Sequence, residues 1–239
     1  TCTFCVDGSD QVKKVNRFCL ERVTKELNYI AKRAPSNVHT LGILDLNFGM
    51  YKGDLQICDA ILDIQKKYNY PKHITTATGK NAKELIIETY KKLRNSLILR
   101  VSVQSMDKKV LKNINRDNIS EERMMELAPT IRESGLQTCA EVILGLPGDS
   151  YDSHLSTLKT LLEASIDEIL VFSCMLLPGS EMFEERKKWG LKTKHRILPR
   201  DFAKLSNGKI VIETKEVVVG SNTMTQLKYA PIKSKTTEL

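Results

Sequence analysis

Apolar residues along this chain alternate between two periods, and the alternation itself predicts the architecture. Val12, Val15, Cys19, Val23, Leu27 and Ile30 recur every three or four residues among Lys, Arg and Glu, which predicts a helix over residues 10–33 capped by Ser9 or Asp10. Residues 38–45 form a short apolar run that ends in polar residues, the pattern of a buried strand. Helical spacing returns over 54–68 through Leu55, Ile57, Ile61 and Ile64, followed by a short strand at 73–76 and a helix over 81–93. The pattern goes on as a strand at 97–103, helices at 108–114 and 120–134, and a strand at 137–144. A helix at 150–164, a strand at 168–174 and a short helix at 181–189 follow. Ser120 with Arg123 falls short of a full capping box, and Gly135 closes that helix. Strand and helix thus alternate at least five times, which implies right-handed crossovers and a parallel sheet covered by helices. An open doubly wound sheet and a barrel both fit. Past residue 190 the rhythm fades. Residues 209–213 and 216–219 read as short strands or an irregular extension, and 220–239 as a polar end that is either mobile or the start of a further domain.

Composition narrows the class. The chain has 239 residues, 41% hydrophobic and 28% charged, as an ordinary globular domain does. That length suits one large α/β unit with a self-supporting core. No run of about 18 apolar residues occurs, so no membrane span is expected. The net charge of +8 is uneven: residues 186–239 hold 13 Lys and Arg against 4 Asp and Glu, while residues 1–185 are nearly neutral. A basic end attracts nucleic acid or anionic substrates, but no aromatic residues interleave these charges, and a solvated tail explains them equally. Six cysteines stand at 2, 5, 19, 58, 139 and 174. The last four lie in apolar or amphipathic runs and read as small buried hydrophobes in a reducing cytoplasm.

Polar or glycine-rich clusters fall where the expected strands end: Asn47-Phe48-Gly49, Thr76-Ala77-Thr78-Gly79, Gln104-Ser105, Gly145-Leu146-Pro147-Gly148 and Leu177-Pro178-Gly179. Parallel α/β folds bind ligands at that edge. One cluster would reflect turn chemistry alone; five in register point to a ligand-binding face. The pair Cys2-Thr3-Phe4-Cys5 lets two thiolates reach one metal or form a redox disulfide. Zinc would call for a second Cys or His pair, and His39, His73, His154 and His195 are scattered. A thioredoxin-like motif would open a helix directly, whereas Val6-Asp7-Gly8 intervenes here.

With these segments in order, the sequence resembles the radical S-adenosylmethionine (SAM) superfamily. Cys2-Thr3-Phe4-Cys5 looks like the second half of the signature CxxxCxxC. Asp45-Leu46-Asn47-Phe48-Gly49-Met50 stands in the place of the glycine-rich segment after the second strand. Val103-Gln104-Ser105 with Asn115-Arg116 resembles the fourth-strand region, Glu141 through Asp149 the fifth, and Leu176 through Glu181 the loop after the sixth. The resemblance covers residues 1–185. It is strongest to the branch that often carries an N-terminal cobalamin-binding domain, and extends more distantly to the tRNA methylthiotransferases.

The resemblance implies an α/β fold, a partial (β/α)6 TIM-like barrel lacking its first strand, with residues 1–190 as an incomplete core and 191–239 as a basic C-terminal extension. It implies a 4Fe–4S cluster whose open iron takes SAM, reductive cleavage to methionine and a 5′-deoxyadenosyl radical, and an electron donor such as flavodoxin or ferredoxin. Cys2 and Cys5 would ligate iron, and Phe4 would pack near the adenine. Asn47, Phe48 and Gly49 would meet the methionine amino group. Gln104 and Glu141 would reach the ribose or carboxylate, and Arg116 would pair with that carboxylate. Ile143, Leu144 and Gly145 would line the adenine. The first signature cysteine would fall four residues before Cys2, ahead of Thr1, so this chain alone is expected to hold no stable cluster and to be inactive. The substrate is unspecified. Alternatives are a cobalamin-dependent methyltransferase, a methylthiotransferase-like RNA-modifying enzyme using the basic end, and a non-catalytic metal-binding barrel.

Overall fold

The computed structural model describes residues 2–6, 15–78 and 83–225. Five parallel strands form its body: β1 (Thr40–Ile43), β2 (His73–Thr76), β3 (Leu99–Gln104), β4 (Thr138–Leu144) and β5 (Glu168–Ser173). β1 pairs with β2, and β3 with β4 and β4 with β5. A parallel bridge between Ile74 and Leu97 joins the two sets. The spatial order is therefore the sequence order. A doubly wound sheet would reverse its order at a switch point; a barrel wall does not.

Between the strands run α1 (Leu20–Arg33), α2 (Lys52–Tyr68), α3 (Lys83–Lys92), α4 (Lys108–Asn113), α5 (Glu121–Glu133) and α6 (Tyr151–Glu163). Local chemistry sets their ends. Asp107 caps α4 by accepting the Lys109 and Val110 N–H groups at 2.8 and 2.9 Å, and Ser150 caps α6 by accepting the Ser153 N–H at 3.1 Å. α2 stops where Asn69 turns left-handed at φ 58°. Ser120 caps α5 through the Arg123 N–H alone, as the missing capping box implies.

The outer face of the sheet carries the core. Leu41 and Ile74 pack with Ile61, Ile64, Tyr90 and Leu93, while Val103, Ala140 and Val142 pack with Leu158 and Leu161. A cleft between β3, α3 and α5 is lined by apolar Ile86, Leu99, Val101, Ile119 and Leu127 and also by polar Arg100, Ser102, Arg116 and Asn118. Among the described residues no helix is long and apolar enough to cross a membrane.

Several expectations change. The helix expected over 10–33 starts at Leu20; residues 15–19 are not helical and 10–14 lie outside the described residues. Tertiary contacts override the helical periodicity there, because the Arg17 guanidinium sits 4.1 Å from the Tyr51 ring and 3.8 Å from the Asp54 carboxylate. Cys19, expected inside, is exposed. The short helix expected to reach 189 is only α7 (Glu181–Glu184), followed by turns that end at Gly190 with φ 58°.

The largest change is at the C-terminal side. In place of two short strands, β6 (Lys192–Lys204) and β7 (Ile210–Gly220) form a long antiparallel ribbon. Pairing is irregular between Ile197 and Phe202, where Pro199 offers no N–H. The ribbon's base joins the body: Val218 N–H bonds Cys174 O at 2.9 Å, Leu176 N–H bonds Glu216 O at 2.8 Å, and Val218 is buried. Beyond it, Met224 is fully buried against Leu144. Packing onto the body thus continues past residue 190. The polar end expected over 220–239 is ordered as far as 225; 226–239 lie outside the described residues.

Candidate functional site

Parallel strands bring all their carboxyl ends to one edge, and the cysteine loop is tied to that edge. Thr3 N–H bonds Ile114 O at 3.0 Å, and Met182 N–H bonds Thr3 O at 2.9 Å. The loop is thereby held between the end of α4 and the start of α7. Cys5 N–H closes a tight turn onto Cys2 O at 3.1 Å. Neither sulfur is in a disulfide.

Arg116 lies beside them. Its Nη1 is 3.6 Å from Cys2 Sγ, its Nη2 donates to Ser102 O at the end of β3, and its Nε donates to Asn118 Oδ1 at 2.8 Å. Asn118 in turn ties to Val103 O and Ser105 O at 2.6 and 2.8 Å. A permanent cation is thus anchored against a cysteine sulfur by three groups of the β3 end. An anionic iron–sulfur site calls for such a neighbour.

Two buried oxygens nearby, Thr3 Oγ1 and Gln104 Oε1, have no hydrogen-bond partner among the described residues. Buried polar atoms are ordinarily satisfied, so each leaves an acceptor open to a ligand atom. Gln104 also stands at φ 64°, where the β3–β4 register shifts. A left-handed non-glycine residue at a bulge is a conformation that surrounding structure must hold, and such positions cluster at functional sites.

Alternation along β3 and β4 gives the sheet a second face unlike the first. Arg100, Ser102, Cys139 and Glu141 share it. Glu141 accepts the Ser102 hydroxyl at 2.6 Å and pairs with Arg100 at 3.5 Å. Ile143 and Phe172 continue this face on β4 and β5, with Phe172 48% exposed.

The site residues named from sequence fall into two groups. Cys2, Cys5, Phe4, Arg116 and Ile143 come together: Phe4 and Ile143 border one apolar cluster with Ile114, Leu146 and Met182. Gln104 and Glu141 lie on the same two strands, Glu141 already engaged by Arg100. Asn47 is half-buried, with its N–H on Asp45 Oδ1 at 2.8 Å. Gly49 and Gly145 both adopt positive φ, 90° and 92°. Two side chains go elsewhere. Phe48 is 1% exposed in the core under α2, and Leu144 packs outward with Met224, because each sits on the helix-covered side. Sequence reading passes over Arg100, Ser102 and Asn118. The signal was present in β3, where polar 100, 102 and 104 alternate with apolar 99, 101 and 103.

The remaining thiols differ in kind. Burial pushes Cys58 and Cys174 up to about 12 and Cys139 to about 11, so these are neutral, inert thiols at physiological pH.

A barrel-like α/β body with a cysteine loop at the carboxyl ends of its strands defines a class of cofactor-dependent protein. The sequence profile of the radical SAM superfamily matches residues 1–161, and the chain belongs to that superfamily. The cofactors of this family are a 4Fe–4S cluster and SAM. The chain is 31% identical over 199 residues to 2-(S-pantetheinyl)-carbapenam-3-carboxylate methyltransferase of Streptantibioticus cattleyicolor. It is 29% identical over 199 residues to the cobalamin-dependent radical SAM methyltransferase TokK of Streptomyces tokunonensis. Each alignment covers 81% of this chain and 29% of the relative, so the chain spans less than a third of those proteins. Among solved structures, the radical SAM methyltransferase TsrM of Kitasatospora setae, with tryptophan and a SAM analogue bound, superposes with a TM-score of 0.62. That likeness covers 84% of this chain and 39% of TsrM at 14% identity, and establishes the fold.

Proposed function

We propose that the whole protein carrying this chain is a cobalamin-dependent radical SAM methyltransferase, and that this segment is its SAM-cleaving barrel. The observation that carries the SAM-cleaving part is the Cys2–Arg116 contact, which puts two cysteines and a fixed cation over the end of β3. The methyl-transfer part rests on the two carbapenam-type and cobalamin-dependent relatives. Radical SAM cleavage without cobalamin is the broader reading and stands if cobalamin fails to bind.

In this reading Cys2 and Cys5 ligate iron. When bound and reduced, the cluster supplies the electron that splits SAM into methionine and a 5′-deoxyadenosyl radical. The chain's own residues position and shield. Arg116 neutralises negative charge at the cluster and the methionine carboxylate. Gln104 Oε1 and Asn47 give polar contacts to ribose and amino group. Phe4, Ile143 and the Gly145 backbone form the adenine wall, where lack of a side chain permits close approach. The Arg100–Ser102–Glu141 network keeps the polar inner face ordered beneath the reacting centre, and apolar Ile143 and Phe172 limit water.

We further read the body as a (β/α)6 barrel in which β1 is the second strand, residues 1–190 as its core and 191–239 as an extension anchored to it. An electron donor of the flavodoxin or ferredoxin type completes the reaction. A reducing cytoplasm suits thiols that are not in disulfides. Anaerobic reconstitution of the whole protein tests the function: iron near four per chain and 5′-deoxyadenosine formed from SAM under reduction support it, and zinc without iron refutes it.

A further inference from the structure

The two glycine loops are built on one plan. After β1, Gly49 stands at φ 90° and its N–H bonds Asp54 Oδ2 at 2.9 Å; the same oxygen takes the Tyr51 N–H at 3.1 Å. After β4, Gly145 stands at φ 92° and its N–H bonds Asp149 Oδ2 at 3.3 Å. Asp149 Oδ1 takes the Ser150 N–H at 3.0 Å and the Ser153 hydroxyl at 2.7 Å. Both carboxylates are almost wholly buried, at 3% and 2% exposure. Each lies a few residues past its glycine, where the chain enters the next helix.

Glycine at a strand end is free to take many conformations, and a loop that must meet a ligand through its backbone gains from losing that freedom beforehand. A buried carboxylate accepting a backbone N–H supplies a short-range, charge-assisted restraint. A helix-entry Asp needs only its own first-turn N–H groups as partners. Reaching back to the glycine serves the loop instead.

The surroundings reinforce each carboxylate differently. Asp54 Oδ1 faces the Arg17 guanidinium at 3.8 Å, and Arg17 belongs to the segment that follows the cysteine loop. Asp149 has His154 Nδ1 at 3.6 Å, and its backbone oxygen accepts the Thr223 hydroxyl at 2.6 Å from beyond the ribbon.

We propose that Asp54 and Asp149 are paired positioning residues that preset the Gly49 and Gly145 loops to grip the two ends of SAM, the methionine amino group and the adenine. This rests on the assignment of those loops under the proposed function. Their partners make the pair asymmetric in a testable way. Both N–H bonds of Asp54 fall on one oxygen, so Asp54→Asn keeps an acceptor for both with its amide nitrogen in the other position, from which the half-exposed Arg17 guanidinium can swing into solvent. Asp149 uses both oxygens, so Asp149→Asn turns an amide nitrogen toward one donor and loses that bond.

The test uses the whole protein with its cluster. SAM affinity is read by equilibrium dialysis, and hydrogen exchange reports the Gly49 and Gly145 amides. Asp54→Ala and Asp149→Ala should weaken SAM binding about tenfold or more, as loss of a charge-assisted bond implies, while kcat at saturating SAM changes less than the KM for SAM. Asp54→Asn should stay within about threefold of wild type, and Asp149→Asn should resemble Asp149→Ala. In the wild type both glycine amides should be protected before SAM is added. Rapid exchange of those amides in the unliganded wild type overturns the proposal even if the alanine variants fail to fold. So does a folded alanine variant of wild-type affinity with only a lowered Tm. Wild-type protein that binds no SAM refutes the proposed function, and with it the purpose assigned to the loops; protected glycine amides in that same protein would show the restraint itself intact.

Discussion

The two faces of the same five strands are built from adjacent residues and do different work. Outward, Val103, Ala140, Val142 and Leu144 are at most 1% exposed and meet helices or the residues beyond the ribbon. Inward, Arg100, Ser102 and Glu141 form a polar network of half-buried groups. Apolar packing lies on one face and a polar network on the other, because a strand sends alternate side chains to opposite sides. The comparison also covers the thiols: Cys58 and Cys174 are sealed in the core, whereas Cys2, also buried, and half-buried Cys5 sit on the loop tied to the strand ends, with Cys2 beside Arg116.

Substitutions on each face should separate accordingly. Cys5→Ser should abolish 5′-deoxyadenosine formation by the whole protein while leaving Tm within a few degrees; retained turnover would break the division. Leu161→Ala, in the outer layer, should cost about 2–5 kcal/mol in denaturant unfolding while SAM turnover per folded molecule stays close to wild type. Glu141→Gln should reverse that pattern, with a several-fold loss of turnover and only about 1 kcal/mol of stability, since the Arg100 pair is partly exposed.

The sealed thiols add a pH effect. Their folded-state ionisation is raised by burial to about 12 from an ordinary 9.0, so their contribution to stability is full below about 9. It should be lost as pH climbs from there toward 12, visible as falling Tm, and Cys58→Ala should flatten that slope. The smallest effect belongs to the ribbon. Ile212 is 51% exposed, so Ile212→Thr should shift stability by no more than about 0.5 kcal/mol.

Much of the body was legible because each strand and helix carries its own period. Residues 138–144 read as an apolar strand whether or not their neighbours are known. The ribbon was not legible. β6 is rich in Lys and Arg and contains Pro199, and its strand form comes from pairing with β7 rather than from local preference. The start of α1 was misplaced for a similar reason: Val12 and Val15 keep helical spacing, but Arg17 is drawn to Tyr51 and Asp54, far along the chain. At the site, the resemblance named Gln104, Glu141 and Gly145, and they fall at the end of β3, within β4 and just past β4. Which side chains face the edge was another matter. Phe48 and Leu144 were misjudged because a loop's turn and a strand's parity decide orientation, and one residue of error sends a side chain to the opposite face. Asp54 escaped notice since an acid in a helix's first turn ordinarily serves the helix alone.

The central claim is that Cys2 and Cys5 hold the cluster that cleaves SAM. The most direct measurement is electron paramagnetic resonance of the reduced whole protein, with and without SAM. A 4Fe–4S signal whose g values shift on SAM addition, absent from Cys2→Ala and Cys5→Ala, is the predicted result. An unchanged signal in those variants, or no iron signal in the reconstituted wild type, would contradict it.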